Sequence, residues 1–142
     1  MAYIPLRKAR TMIRSVFRRQ EQMSLKPLSV VLLDPGGHPI AFERQDGAAP
    51  GRFEIARAKA YGAVMLGIGG EAQYARAESQ PYFALAANGA FDGKLVPVPG
   101  GILIRTGKGT VLGAMGVSGD TSENDSLCGV AAIEDAGFVA EP

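Results

Sequence analysis

Residues 28–44, LSVVLLDPGGHPIAFER, decide the fold of this chain. Apolar and β-branched residues fill positions 28–33 and recur over positions 38–44, and runs of this length and composition are typical of β-strands. Between the two runs, Asp34-Pro35-Gly36-Gly37 places proline and glycine where a reverse turn requires them. The stretch therefore predicts a β-hairpin, in which the two strands are antiparallel.

The segments on either side of this hairpin predict helices and a second hairpin. In chain order these are a helix at 5–23, a helix at 52–66, a shorter helix at 71–78, an alanine-rich stretch from Pro81, and strands at 102–105 and 110–117 around a turn at 106–109. Pro5 suits the first turn of the first helix, and Pro27 ends it. Gly113 and Gly116 in the last of these strands indicate bulges or close approach of another backbone.

The last helix is predicted to begin at Ser122, which with Asp125 three residues later resembles a capping box. Apolar residues follow at helical spacing, and Gly137 is placed to end the helix. Because the strands come in hairpins joined by helices, the whole order predicts an α+β fold. A mainly antiparallel sheet is flanked by helices in one domain over residues 1–142.

Composition excludes several classes of protein. Of 142 residues, 46% are hydrophobic and 20% charged, which is ordinary for a globular protein, and no apolar run approaches the roughly 18 residues of a membrane span. No secretory signal is evident, and the single cysteine, Cys128, excludes an internal disulfide. We therefore expect a cytoplasmic protein without a membrane partner. With one histidine, His38, a dedicated metal site is not expected.

The net charge of +1 is spread unevenly along the chain. Residues 1–26 hold seven basic residues against Glu21 alone, whereas the segment from Asp120 onward holds six acidic residues and no basic one. We interpret the basic segment as a solvated helix face, or as one that faces the acidic C-terminal segment of its own or another chain. Since the rest of the chain is net acidic and would repel phosphates, no nucleic-acid partner is expected.

Two glycine-rich motifs have structural interpretations. Residues 67–72, GIGGEA, fit a loose dinucleotide fingerprint, but that chemistry needs a preceding strand, so the motif predicts a helix–helix turn. Residues 116–119, GVSG, do not complete a nucleophile elbow, because residue 120 is aspartate. They predict a strand-to-helix turn that is either purely structural or holds a carboxylate or phosphate on its free backbone N–H groups.

The densest polar grouping combines Arg44 at a strand end, Asp46 in the next loop and Lys59 in the following helix. Lys59 is expected either to pair with Asp46 or to point into a pocket and meet an anion. If the chain transfers protons, the candidate groups are Lys59, Asp46 and Asp125. His38 lies beside a turn, where exposure is the default and haem ligation the alternative. Cys128 is expected to be an ordinary buried thiol.

Several motifs, in the same order along the chain, resemble those of the GlcG/HbpS-like family. They are DPGGH at 34–38, FERQDGA at 42–48, AKA at 58–60, PGG at 99–101, and the segment 113–125 followed by Cys128. The resemblance implies a sheet flanked by helices in layers like those of profilin or PAS domains, assembly into dimers or octamers, and binding of haem or another small ligand. The expected ligand-binding residues are Arg44, Asp46, Lys59, Gly100, Gly101, Ser118 and Gly119.

The resemblance also bears on how haem would be held. Relatives that bind haem can use a histidine of the N-terminal helix as an iron ligand, and the first helix predicted here holds none. The ligand would then be His38, a hydroxyl, a methionine, a tyrosine or Cys128, or binding would rest on apolar contacts and on pairing of propionates with arginine or lysine. Three functions stay open: a haem-binding protein, an accessory enzyme of isomerase or tautomerase type acting on a small acidic metabolite in a catabolic pathway, and a structural subunit of an oligomer.

Overall fold

A computed structural model describes residues 2–142, in which five helices pack around one five-stranded antiparallel sheet. The strands are β1 (Ser29–Leu33), β2 (Pro39–Arg44), β3 (Gly101–Arg105), β4 (Val111–Ser118) and β5 (Val139–Glu141). The helices are α1 (Leu6–Met23), α2 (Arg52–Leu66), α3 (Gly70–Ser79), α4 (Pro81–Ala90) and α5 (Ser122–Asp135). The predicted α+β fold is confirmed.

The sheet has the order β2-β1-β4-β3-β5. Both predicted hairpins, β1–β2 and β3–β4, are present, and β1 also pairs with β4 in the register Ser29↔Ser118. This long-range pairing brings the end of β4 beside the start of β1, where the loops before α2 and α5 also meet. The short β5, which the sequence did not predict, pairs with β3 and forms one edge of the sheet.

Helices α1 and α5 cover one face of the sheet. The buried residues of α1 recur at helical spacing and join the core with side chains of β1, β3 and β4. Arg19 Nη2 lies 2.6 Å from Asp135 Oδ2, and Lys8 Nζ donates to the carbonyl oxygen of Ala136 at 3.2 Å. The basic first helix thus contacts the acidic C-terminal segment of its own chain, one of the arrangements expected from the charge distribution.

Helix α2 covers the opposite face with small residues, Ala56, Ala60 and Ala63. These let its backbone approach β4 so closely that a Cβ added at Gly116 would collide with the carbonyl group of Ala56. The close backbone approach predicted for this strand is confirmed. Only glycine fits at position 116 without moving the helix off the sheet.

Helices α3 and α4 follow α2 and lie outside the sheet. Gly67, with a φ of 72°, ends α2 in the left-handed region, and α3 begins at Gly70. The GIGG motif therefore joins two helices, as predicted, and no strand precedes it to form a dinucleotide site. Within residues 2–142, no helix has both the length and the apolar composition needed to cross a bilayer.

The start of α5 corrects one prediction. Thr121, not Ser122, is the N-cap: its Oγ1 accepts a hydrogen bond from the backbone N–H of Asn124 at 3.1 Å. The predicted capping box of Ser122 and Asp125 was wrong, because the threonine hydroxyl one position earlier satisfies the first turn. Asp125 is thereby turned into the protein, where its side chain is 1% exposed.

Candidate functional site

Several predicted site residues meet around Lys59, in the middle of α2. Its side chain is 3% exposed, and Nζ donates hydrogen bonds to the carbonyl oxygen of Val117 at 2.9 Å and to Asp125 Oδ2 at 3.2 Å. Val117 belongs to β4 and Asp125 to α5, so the lysine links three elements. The sequence left two partners open for Lys59, Asp46 and an anion in a pocket. The structure shows a different partner, Asp125.

Asp125 completes this pair from the first turns of α5. Its Oδ1 accepts the backbone N–H of Asp120 at 3.0 Å, while Oδ2 faces Lys59. A carboxylate in this place also lies near the positive end of the helix dipole of α5. The carboxylate is therefore held by a cation, by a backbone donor and by the helix terminus.

Burial dominates the pKa values of both groups. It lowers the pKa of Lys59, although the neighbouring Asp125 carboxylate acts in the opposite direction. It likewise raises the pKa of Asp125, against the opposing effects of Lys59 and of the Asp120 N–H. Each group depends on the other to carry a charge at this depth, so removing one leaves the remaining charge uncompensated.

Gly100 and Gly101 pack directly on Lys59. A Cβ added at Gly100, which has a φ of 113°, would lie 2.9 Å from Lys59 Nζ and 2.8 Å from the carbonyl oxygen of Val117. A Cβ added at Gly101 would collide with the backbone of Lys59. The Pro-Gly-Gly element therefore seals the ion pair and leaves no room for a ligand against the ammonium group.

Ser118 and Gly119, at the end of β4, lie beside a cationic depression. Ser118 is buried, and its Oγ accepts a hydrogen bond from Arg52 Nη1 at 3.1 Å. Lys26, Arg52 and Gly119 line an open depression of about 200 Å³ together with the loop at 47–49. The neighbour of the serine is a guanidinium group and not an imidazole, so this is not the arrangement of a Ser-His-Asp hydrolase.

Arg44 and Asp46 lie apart from Lys59. They line a second open depression of about 430 Å³, whose other walls come from Phe17, Gln20, Pro27 and Gln45. Pro27 lines both depressions. The predicted ligand-binding residues are thus divided among three places: a sealed ion pair, a small cationic depression and a larger one beside α1.

His38, the predicted haem-ligand candidate, lies on the turn between β1 and β2. Its side chain is 79% exposed, and Nδ1 is 3.3 Å from Asp34 Oδ1. Asp34 Oδ1 also accepts the backbone N–H groups of Gly36 and His38, each at 2.9 Å. Burial tends to raise the pKa of Asp34, but these hydrogen bonds outweigh it, so the pKa lies below its ordinary value.

Three residues of these sites were not predicted as site residues. Arg52 begins α2 and Lys26 precedes β1, and both are charges at the ends of elements. Arg44 was selected because it is a charged residue at a strand end, and the same criterion would have selected Lys26 and Arg52. Asp34 was assigned only to the turn, although aspartate four residues before a histidine in a tight hairpin is placed to reach the imidazole.

Cys128 is buried, as predicted, and burial raises the pKa of its thiol. In the described residues 2–142, no three histidine, cysteine, aspartate or glutamate side chains come together as metal ligands.

Comparison with known proteins identifies the family. The model of the haem-degrading HbpS-like proteins matches residues 4–134. Among solved structures, protein ORFY of Klebsiella pneumoniae has a TM-score of 0.84 at 25% identity, with 94% of this chain and 90% of that one covered.

Two other structures share the fold. PduOC, solved as its haem complex, has a TM-score of 0.86 at 23% identity, with 99% of both chains covered. A double mutant of HbpS from Streptomyces reticuli has a TM-score of 0.77 at 23% identity, covering 94% of this chain and 86% of that one. No curated protein sequence matches this chain. Because the family model spans all but the two ends, the chain belongs to the HbpS-like family of haem-degrading proteins.

Proposed function

We propose that this protein binds haem and that His38 supplies the iron ligand. The family, and the shared fold with PduOC in its haem complex, support haem as the class of ligand. His38 is the only imidazole in the chain. A cytoplasmic location, which the single buried cysteine favours, belongs to the same proposal.

The pairing of Asp34 with His38 carries the proposal. Histidines that bind metals commonly donate their second ring N–H to a carboxylate, which fixes the tautomer and orients the ring. Asp34 Oδ1 lies 3.3 Å from Nδ1 of His38, so Nε2 is the nitrogen left for iron. The 79% exposure of the side chain leaves that nitrogen accessible.

An aromatic ring, a methionine and a lysine lie near the turn and support a porphyrin as the ligand. A Cβ added at Gly37 would lie 2.9 Å from the ring of Tyr61 and 3.0 Å from the methyl group of Met65, so the turn packs against both. Lys94 Nζ lies 4.9 Å from the centre of the Tyr61 ring and offers a cation to a propionate. Bound haem would supply iron for redox or oxygen chemistry.

The apolar groove along α5 fits haem less well. It has a volume of about 350 Å³, and Pro99, Leu127 and Val130 give it apolar walls. Its polar walls include Glu71 and Glu123, whose carboxylates would repel propionates, and no histidine, cysteine or methionine lines it. The histidine turn is therefore the better supported place.

Titration of the purified protein with haemin tests the proposal. The wild type should give a Soret shift that saturates at one haem per chain, and His38→Ala should weaken binding by about tenfold or more. Lys108→Ala, at an exposed position in the other hairpin turn, is the matched control. Added imidazole should restore the spectrum of His38→Gly, which separates loss of the ligand from loss of the fold.

Two outcomes would contradict the proposal at different levels. A featureless spectrum that does not saturate would exclude haem binding itself. Saturable binding that is unchanged in His38→Ala would leave haem binding in place and refute the assignment of the ligand.

A second candidate function is the binding of a small carboxylate between Lys26 and Arg52. The supporting observation is that both cations line the depression of about 200 Å³ beside Gly119. Thermal unfolding in acetate, lactate and malonate tests it. Arg52→Ala should remove any stabilisation, while Arg44→Ala, in the neighbouring depression, should keep it.

The geometry gives an isomerase or tautomerase less support. The proton-transfer candidates Lys59 and Asp125 are 3% and 1% exposed and are paired with each other. Asp46 lies in the other depression, away from both. A substrate could reach the ammonium group only if α2 or the Pro-Gly-Gly element moved.

A further inference from the structure

The apolar groove along α5 has the size and the shape of a site for a small molecule. Its volume is about 350 Å³, and its walls come from α5, from the start of α3 and from Pro99 and Pro142. Pockets that hold small molecules usually have volumes of about 300–1,000 Å³ and mostly apolar walls. The groove lies at the lower end of this range and is large enough for a compact organic molecule.

One face of α5 forms a wall with a direction. Glu123, Ser126, Leu127 and Val130 line the groove and follow each other at i, i+3, i+4 and i+7, so they lie in one row along the helix. At a rise of 1.5 Å per residue, the row is about 10 Å long. This wall is therefore polar at the start of α5 and apolar further along it.

Two carboxylates at the rim of the groove have no cation of their own. Glu123 belongs to the first turn of α5 and Glu71 to the first turn of α3, and both residues are exposed. None of the ion pairs within residues 2–142 involves either of them, and no lysine or arginine lines the groove. A carboxylate in a first turn stabilises its own helix, but that role does not require an apolar groove beside it.

Tyr74 adds an aromatic ring to this acidic region. Glu71, Tyr74 and Glu78 lie at i, i+3 and i+7 on α3. A hydrogen bond to Glu78 and the charge of that carboxylate raise the pKa of Tyr74, and the charge of Glu123 acts in the same direction. The tyrosine therefore lies close to carboxylates of both helices. Because the face of an aromatic ring attracts positive charge, this neighbourhood favours an organic cation.

Ser126 supplies an unused polar group inside the groove. The residue is 3% exposed and still lines the groove. Within residues 2–142, the side-chain hydrogen bonds at the start of α5 involve Thr121, Asn124 and Asp125 and leave the Ser126 hydroxyl free. Buried polar groups are normally hydrogen-bonded, so this hydroxyl calls for a partner in the groove.

We propose that the groove binds a small primary amine with an apolar body, whose ammonium group lies by Glu71 and Glu123. The ammonium group donates a hydrogen bond to the hydroxyl of Ser126, and the apolar body lies along Leu127 and Val130. Charge complementarity selects the cation, and the row of about 10 Å fits an aromatic ring joined to an ammonium group by a short chain.

Other occupants fit the groove less well. A fatty acid suits the apolar residues, but its carboxylate would be repelled by Glu71 and Glu123. A metal ion would gain nothing from the apolar wall, and no three histidine, cysteine, aspartate or glutamate side chains of the described chain come together as ligands. Since no histidine lines the groove, the amine site is independent of the proposed haem site.

Isothermal titration calorimetry of the purified protein with phenethylamine tests the proposal. At about pH 7 the amine is protonated, and it should bind saturably at one molecule per chain. Because the two carboxylates are exposed, binding should weaken when the salt concentration is raised from about 0.01 M to about 1 M. Phenylpropionate, which has a similar apolar body and a negative charge, should not bind.

Glutamine substitutions test the role of the carboxylates. Glu71→Gln and Glu123→Gln should each weaken binding by about threefold to fivefold, as expected for exposed ion pairs, and the double variant by about tenfold or more. Glu54→Gln is the matched control, because Glu54 is also an exposed carboxylate in the first turn of a helix, α2. It removes the same interaction with a helix dipole and should bind phenethylamine like the wild type.

A second pair of ligands tests the hydrogen bond to Ser126. The N,N,N-trimethyl derivative of phenethylamine keeps the positive charge and has no N–H group to donate. Ser126→Ala should weaken the binding of phenethylamine by about fivefold and leave the binding of the trimethyl derivative unchanged. An equal effect on both ligands would refute the hydrogen bond.

Three results would overturn the amine site as a whole. They are heat signals for phenethylamine that do not saturate, binding of phenylpropionate as tight as that of phenethylamine, and equal effects of Glu123→Gln and Glu54→Gln. None of these results bears on the titration with haemin, so failure of the amine site is distinguishable from failure of the haem site.

Discussion

Replacing Lys59 by methionine tests whether the sealed ion pair holds α2, β4 and α5 together. Methionine keeps most of the apolar stem of the lysine and removes the ammonium group. The substitution leaves the carboxylate of Asp125 buried at 1% exposure without its cation, and it leaves the carbonyl oxygen of Val117 without the donor that now lies 2.9 Å away.

The expected loss of stability is large. Breaking a buried ion pair from one side typically costs about 3–5 kcal/mol. Asp125 keeps the backbone N–H of Asp120 at 3.0 Å, so we expect a value near the lower end, about 3 kcal/mol. For a chain of 142 residues, this corresponds to a fall in Tm of roughly 10 °C.

The effect should depend on pH in a defined direction. Burial already raises the pKa of Asp125 in the presence of Lys59, and removing the cation raises it further. Between the ordinary pKa of an aspartate and the raised pKa of Asp125, the folded variant keeps this carboxyl protonated while the unfolded chain has lost the proton. The free energy of unfolding of Lys59→Met therefore falls as pH rises through this range. The variant should therefore lose less stability at about pH 5 than at about pH 7.

Urea unfolding followed by far-UV circular dichroism measures these changes, since the chain has no tryptophan. The double variant Lys59→Met, Asp125→Asn should lose less than the sum of the two single variants, with a coupling free energy of about 1–3 kcal/mol. Lys108→Met, in an exposed turn, is the control. A loss below about 1 kcal/mol for Lys59→Met, or strict additivity in the double variant, would refute this account of the pair.

Two further predictions concern the packing of α2 and the loop before α5. Gly116→Ala should lower the free energy of unfolding by about 1–3 kcal/mol, because its Cβ would meet the carbonyl group of Ala56. Gly107→Ala, which meets open space, should change it by less than about 0.5 kcal/mol, and equal effects in urea unfolding would contradict the reasoning. The Asn124 side chain, helped by the backbone N–H of Lys26, lowers the pKa of Asp120 to about 2. The stability that this carboxylate contributes is present above its ordinary pKa and is lost as pH falls through about 2. The difference in free energy of unfolding between the wild type and Asp120→Asn should therefore shrink in acid. A difference that stays constant with pH would contradict this prediction.

The elements that the sequence predicts well are those with a local physical cause. The β1–β2 hairpin follows from a proline and glycine turn between two apolar runs, and the structure places its strands at Ser29–Leu33 and Pro39–Arg44. The first helix follows from apolar residues at helical spacing between Pro5 and Pro27, and it is observed at Leu6–Met23. In both cases, the residues that decide the element lie inside it or within a few residues of its ends.

The features that the sequence does not predict depend on distant partners. Strand β5 has three residues, too few for a pattern, and it exists because Leu103 and Arg105 of β3 offer it an unpaired edge. The exposure of Tyr82 and Leu85 on α4 is equally absent from the sequence pattern. The uncharged composition of α4 resembles that of a core helix, and only the packing shows that, among the described helices and strands, α4 contacts α3 alone.

The candidate site shows how a shift of one residue changes the chemistry of a position. With Ser122 as the N-cap, Asp125 would be the third residue of the helix, and its carboxylate would accept the backbone N–H of Ser122. With Thr121 as the N-cap, Asp125 is the fourth residue of α5, and one carboxylate oxygen accepts the backbone N–H of Asp120 while the other faces Lys59. There it meets a lysine whose long side chain crosses from α2, and the pairing requires that Gly100 and Gly101 carry no side chains. Two of the residues that the sequence offers as proton-transfer candidates, Lys59 and Asp125, thus form a closed ion pair, and polar side chains that stay accessible to a ligand, such as His38 and Arg52, lie at the ends of strands and helices.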